Sequence, residues 1–181
     1  MYGVDLKMKN GLVQLLKSLS KINGIEWMRL FYCYPTFINS ELIEYIASEE
    51  KVCNYIDVPL QHTHDFMLKR MKRQETEKGV RSMIDELRTK VQGIALRTTF
   101  ITGFPGETDE YFNHLLEFVR EVEFDHVVPL TGAHLDVFSK LRHVRLSNKY
   151  IFPHDNGVET REFHSLGQAL VHSGKYKDSE K

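Results

Sequence analysis

The feature that most constrains the fold of this chain is its regular alternation between segments of helical period and segments of strand period. Leu12, Val13, Leu15, Leu16, Leu19 and Ile22 share one helical face, with Gly24 as a stop. Residues 27–32 form a short run of bulky side chains that predicts a strand, ended by Tyr34-Pro35. Asn39 is placed to cap a helix carrying Leu42, Ile43 and Ile46, with Glu41 and Glu44 near its positive end. Tyr55, Ile56, Val58 and Leu60 predict a second strand, with Pro59 confined to its end. Phe66, Leu68 and Met71 mark a short helix. Val80, Met83, Ile84, Leu87 and Val91 mark a longer one, stopped by Gly93. Residues 94–102 read as a buried strand closed by Gly103-Phe104-Pro105-Gly106. Thr108 then caps a helix with Asp109 and Glu110 in its first turn and an apolar face of Tyr111, Phe112, Leu115, Leu116, Val119 and Val122. Residues 124–130 predict one more strand.

Short strands separated by helices imply βα units and a parallel sheet. Three or four strands are fewer than a closed barrel or most doubly wound sheets require, so the α/β part reads as a section of a larger sheet. Past Val128 neither period persists. His134, His143, His154, His164 and His172, five of the nine histidines, lie in that stretch, and residues 173–181 are polar.

Composition narrows the class. The chain has 181 residues, 41% apolar and 27% charged, which suits a globular domain or part of one. A formal charge of −1 gives no global pull toward nucleic acid or membrane. The two cysteines, Cys33 and Cys53, exclude a disulfide framework and a cysteine-rich metal site, and they suit a reducing, cytoplasmic compartment. No run approaches the roughly 18 apolar residues of a membrane span. The start, Met1-Tyr2-Gly3-Val4-Asp5, lacks the charged-then-apolar signal pattern.

In parallel α/β folds ligands bind beyond the carboxyl ends of the strands. Three such ends can be located: Tyr32-Cys33-Tyr34-Pro35, then Pro59-Leu60-Gln61-His62-Thr63-His64, then Thr102-Gly103-Phe104-Pro105-Gly106-Glu107-Thr108. In the third, Gly103 and Gly106 let the backbone approach a ligand, Pro105 stiffens the turn, and the helix start offers free N–H groups. Its plainer reading is a tight βα turn with a capped helix. It has neither the dinucleotide nor the P-loop pattern, although a phosphate-binding enzyme remains one reading of it. Gln61, His62 and His64 are candidates for substrate or metal contact. Histidines at i and i+2 point to opposite sides, which disfavours shared ligation. Arg97, inside an apolar strand, must pair or face a cavity; Asp57 has the same two readings. Lys69-Arg70-Met71-Lys72-Arg73 is either a basic surface for RNA or an acidic partner, or a solvated helix end favoured by the dipole.

Taken together, Arg29-Leu30-Phe31-Tyr32-Cys33-Tyr34-Pro35, Tyr55-Ile56-Asp57-Val58-Pro59-Leu60-Gln61-His62, Met71-Lys72-Arg73 and Gly93 through Thr108, including Leu96-Arg97-Thr98-Thr99, resemble the radical S-adenosylmethionine methylthiotransferases. Asp57 and His62 around Pro-Leu-Gln favour the RimO type, which modifies an aspartate of a small-subunit ribosomal protein. The MiaB type, which modifies tRNA adenosine, is the near alternative. The resemblance runs from about Tyr2 to Val127. It implies sulfur insertion at an unactivated C–H bond. One [4Fe–4S] cluster cleaves S-adenosylmethionine to a radical, and a second is involved in supplying sulfur. It also implies that the strand through Ile101 lines the S-adenosylmethionine pocket, with Gln61 and Arg97 facing the cofactor and Gly103 and Pro105 shaping its adenine side. The cluster-binding C-x-x-x-C-x-x-C is absent, so no metal ligand is assigned in this chain. Met1-Tyr2-Gly3-Val4-Asp5-Leu6 resembles an internal family segment.

The expectation is therefore an incomplete radical-SAM (β/α) barrel, its distal part over residues 1–127 and inactive alone. An unassigned, irregular tail follows over 128–181, for which a shifted reading frame or gene junction is one origin. Unpaired strand edges would make such a half-barrel poorly soluble or oligomeric. A noncatalytic module that retains the S-adenosylmethionine pocket is the alternative from another functional class.

Overall fold

Among the described residues, every α-helix but the first starts at a side chain that replaces a missing backbone partner. The computed structural model describes residues 2, 3 and 5–131. In chain order it contains α1 (Gly11–Ser20), β1 (Met28–Leu30), a 3-10 turn (Pro35–Phe37), α2 (Ser40–Ser48), β2 (Val52–Asp57), α3 (Asp65–Arg70), α4 (Glu77–Lys90), β3 (Ala95–Thr102), α5 (Asp109–Val122) and β4 (His126–Thr131). Asn39 accepts from Leu42 N–H at 3.0 Å, Thr76 from Gly79 N–H at 3.2 Å and Thr108 from Tyr111 N–H at 3.4 Å. Each satisfies one orphan donor of its helix, a contribution of about 1 kcal/mol.

The four strands form one parallel sheet in the order β1-β2-β3-β4. The sheet order equals the chain order, unlike the reversing order of a doubly wound sheet, and successive crossovers of one hand then lay their helices on one face. That face holds the main core, in which Ile43, Ile46, Ile56, Leu60, Leu87, Leu96, Phe100, Leu115 and Phe118 are sealed from solvent, with Phe112 and Leu116 forming a small separate cluster. The helical spacing explains the set: Val80, Met83, Ile84 and Leu87 line α4, and Leu115, Leu116, Phe118, Val119 and Val122 line α5. Full burial of each such side chain contributes about 1.5–3 kcal/mol.

Three boundaries differ from the sequence reading. The second strand runs from Val52 to Asp57 rather than over 55–60, because Pro59 has no N–H to give the ladder. The first strand is only Met28–Leu30; Tyr32 leaves it in a left-handed conformation, φ 55°. Helix α1 ends at Ser20, before Gly24, and buries only part of its expected face: Val13 and Leu16 are covered, while Ile22 is exposed. The expected strand over 124–130 is β4, which carries Pro129 on the sheet edge where a missing N–H is tolerated. The five histidines of the final stretch and the remainder of the 128–181 assignment lie outside the described residues.

Candidate functional site

Pro59 shapes the carboxyl end of β2. Around it the ladder is carried by Val58 N–H to Arg97 O at 2.8 Å and by Gln61 N–H to Thr99 O at 2.9 Å. In the gap, the fully buried Thr98 hydroxyl donates to Val58 O at 2.9 Å and accepts from Leu60 N–H at 3.4 Å. Pairing resumes at Gln61, whose carbonyl accepts from Ile101 N–H at 2.7 Å. Gln61 holds φ 68°, a strained conformation for a non-glycine residue. It swings the chain away from the sheet and sends His62 inward.

At the end of β3, Phe104-Pro105-Gly106-Glu107 is a tight turn. Glu107 N–H bonds Phe104 O at 2.9 Å, proline stands second, and Gly106 stands third at φ 91°, a conformation in which glycine avoids Cβ strain. The space at Gly106 is also closed, because an added Cβ would lie 2.9 Å from the Arg70 guanidinium. Arg70 Nε donates to Pro105 O at 3.1 Å.

The two ends are joined through a buried carboxylate. His62 is fully buried and Glu107 nearly so. Nδ1 of His62 accepts from Thr63 N–H at 2.9 Å and His64 N–H at 3.0 Å, which fixes the tautomer and leaves Nε2–H to donate to Glu107 Oε1 at 3.1 Å. The other oxygen, Oε2, accepts from Gly103 N–H. The end of β1 is tied in separately. Arg73 donates to Pro59 O at 3.0 Å, stacks over the Tyr34 ring at 4.1 Å and pairs with Glu75 at 3.0 Å.

A second cluster lies deeper, on the sheet face opposite the helices. Arg97 pairs with the fully buried Asp57 at 2.8 Å. Asp57 Oδ2 also accepts from Tyr32 N–H at 3.4 Å, while Oδ1 has no hydrogen-bond partner among the described residues. Burial raises the Asp57 pKa, against the opposing pull of Arg97. Burial first, and the nearby Asp57 second, push the Cys33 thiol up to about 11.

The residues expected to bind a ligand therefore separate. Gln61, Ile101, Gly103 and Pro105 gather at the strand ends. Arg97 shares a face with Ile101 but lies four residues earlier, about 13 Å down the strand. His62 and His64 do not converge: His62 serves Glu107, and His64 stacks on Tyr111 with ring centroids 4.2 Å apart. No group of three or more candidate metal ligands occurs among the described residues. The basic run is not simply solvated, since Arg70 and Arg73 hold backbone carbonyls of two strand ends. Sequence reasoning gave no special role to Glu107, Arg70 or Arg73. The only local signal was a carboxylate directly before the cap of α5.

A surface concavity of about 510 Å³ is lined by Asp65, Glu77, Lys78, Arg81, Ser82 and Asp85, and by none of Gln61, Ile101 and Gly103. Three of its charged side chains are engaged with one another, Arg81 on Glu77 at 2.8 Å and Asp65 on Glu77 N–H at 2.8 Å. The rim at the strand ends instead offers an amide side chain at Gln61, an apolar side chain at Ile101 and exposed backbone at Gly103. That set suits holding a ligand with an apolar ring and hydrogen-bonding edges; it supplies no nucleophile.

A singly wound parallel α/β sheet with a backbone-lined rim at its strand ends defines the class: a section of barrel wall, in folds of which kind ligands bind at the carboxyl face. The family model of the Radical SAM superfamily matches residues 1–119, and the chain belongs to that superfamily. It is 50% identical over 126 residues to the ribosomal protein uS12 methylthiotransferase RimO of Clostridium kluyveri, a match covering 70% of this chain and 28% of the relative. It is 48% identical over 133 residues to the protein of the same name from Flavobacterium psychrophilum, covering 74% and 31%. The chain thus spans under a third of the length of these relatives. Solved structures share the fold, among them two radical SAM enzymes. The cobalamin- and [4Fe–4S]-bound radical S-adenosylmethionine methyltransferase TsrM from Kitasatospora setae matches with TM-score 0.57 at 18% identity, over 74% of this chain and 26% of that one. Coproporphyrinogen III oxidase HemN from Escherichia coli, a radical SAM enzyme, matches with TM-score 0.53 at 20% identity, over 74% and 30%.

Proposed function

We propose that this chain forms part of the S-adenosylmethionine-binding barrel of a cytoplasmic methylthiotransferase whose substrate is an aspartate of ribosomal protein uS12. The observation that carries this reading is the half-identical match to the uS12 enzyme of Clostridium kluyveri. A match of that length in a chain of 181 residues cannot avoid the strand-end turns in its middle. The rim chemistry agrees with it. Gln61 offers an amide to a ligand edge, Ile101 an apolar surface to a ring, and the exposed backbone at Gly103 a close approach. Pro105 holds the turn that carries Gly103. Arg97, well down the strand and engaged with Asp57, would act on the ligand's far end or on the sheet itself. When bound, S-adenosylmethionine supplies the carbon radical that removes a substrate hydrogen; the residues described here bind and orient it.

The [4Fe–4S] cluster does not fit the residues of this chain. Such clusters are held by cysteine thiolates. Two cysteines are present in the sequence, both free thiols, and Cys33 titrates near 11, far above the range of a ready thiolate.

The test is a chimera in which the matched segment of the Clostridium kluyveri enzyme is replaced by its counterpart from this chain. Mass spectrometry of ribosomal proteins and of tRNA nucleosides then reads the product. Methylthiolated uS12 is expected. A folded, cluster-bearing chimera that modified tRNA adenosine instead, or neither substrate, would sink the proposal.

A further inference from the structure

We propose that Glu107 is a positioning residue that makes one rigid unit of the strand-end turns of β2 and β3. In doing so it sets the spacing between Gln61 on one turn and Ile101 and Gly103 on the other. The proposal rests on reading this rim as an S-adenosylmethionine site and adds a residue that the reading did not use.

Three observations converge. The Glu107 side chain is almost buried, with relative exposure of 6%, yet among the described residues its hydrogen-bond partners are the neutral donors His62 Nε2–H and Gly103 N–H rather than an arginine or lysine. Burying a carboxylate without a cation is expensive, and capping α5 does not require it, since Thr108 already caps that helix. The cost is offset by two hydrogen bonds and by the adjacent start of the 14-residue helix α5, whose dipole favours an anion. Second, the imidazole on the other side has no freedom. Its Nδ1 is held by Thr63 and His64 N–H and its ring is fully buried, so Nε2–H is directed at Glu107 by its own loop. The connection runs unbroken from the β2 loop backbone through His62 and Glu107 to the backbone of Gly103. Third, the roots and the tip of the β3 turn are fixed by other means, Ile101 N–H to Gln61 O at 2.7 Å and Arg70 to Pro105 O at 3.1 Å. What remains for the carboxylate to fix is the exposed backbone at Gly103, which is the part the ligand would meet.

The experiment uses the full 181-residue chain, with S-adenosylhomocysteine as the probe in calorimetry and amide hydrogen exchange read by NMR at Gly103, Thr63 and His64. Glu107→Gln keeps size and one acceptor but turns an amide N–H toward one of the two donors. Exchange should accelerate about tenfold or more at Gly103 and also at Thr63 and His64, which are distant in sequence, as loss of a charge-assisted hydrogen bond implies. Probe affinity should fall about tenfold. Thr108→Ala, which removes the helix cap alone, should leave Thr63 and His64 exchange and probe affinity unchanged. Acceleration confined to 103–107, or equal effects from the two variants, overturns the proposal. If Glu107→Gln does not fold, His62→Gln reads the same connection from the other side and must accelerate Gly103. If the wild-type chain fails to bind the probe, the S-adenosylmethionine reading fails, and the exchange pattern alone decides the connection.

Discussion

The two faces of the sheet are built on opposite principles. Toward the helices, Leu96, Thr98, Phe100 and Thr102 of β3 are all buried, and Ile56 beside them is sealed as well. On the other face, the alternate residues of the same strands are Asp57, Arg97, Thr99 and Ile101: a buried ion pair, then a rim of mixed polarity. The helix face is redundant, since many apolar side chains share one core and each makes an incremental contribution. The opposite face is brittle, since among the described residues Asp57 has one cationic partner, Arg97, and one oxygen without a hydrogen-bond partner. A parallel strand covered on both sides would read as continuously apolar. Arg97 breaks that run, and that interruption distinguishes the two faces.

The sharpest challenge to this contrast is a truncation on the apolar face. Phe100→Ala, at a residue only 2% exposed, should cost about 3–5 kcal/mol in urea unfolding, because the cavity sits where Phe100 meets Phe124. A cost below about 1 kcal/mol would show that the core collapses freely around the site. Next in size, Arg97→Met should cost about 2–3 kcal/mol, below the figure for a fully buried pair because the Arg97 side chain is 26% exposed. Adding Asp57→Asn should recover a large part of that loss. Additive costs in the double variant would refute dependence of one charge on the other. The smallest effect is chemical. Cys33 should alkylate slowly at neutral pH, with a rate that climbs toward a midpoint near 11. Asp57→Asn should lower that midpoint modestly, because burial is the larger cause and is retained. The sign follows for stability. A thiol raised in the folded state contributes fully below its ordinary value of 9.0, and that contribution is lost as pH rises toward 11. A midpoint for Cys33 at or below 9 would contradict its partly buried position beside Asp57.

Most of the architecture was legible along the chain because periodicity and caps are local. The spacing of Val80, Met83, Ile84 and Leu87, and the caps Asn39 and Thr108, are properties of a few neighbouring residues, and they reappear in α4, α2 and α5. The start of β2 was not legible, since Val52-Cys53-Asn54 has no apolar alternation and is a strand only because β1 and β3 flank it. The candidate site was half legible. Glycine and proline announced the Gly103 turn. The destinations of Glu107, Arg70 and Arg73 were hidden because long side chains reach across elements whose relative placement is a tertiary outcome. Glu107 looked like one more acidic residue at a helix start.

The identity of sheet order and chain order also bears on how this protein is assembled. Among the described residues, each strand pairs only with the strand that precedes or follows it, through one crossover. No pairing in this sheet waits for distant parts of the chain to meet. The entropy of closing each loop grows only slowly with its length, so every βα unit adds a moderate, similar increment to the search. A sheet of this kind grows by accretion, each completed strand serving as the template edge for the next, and its folding rate is set by the slowest single addition rather than by one long-range closure.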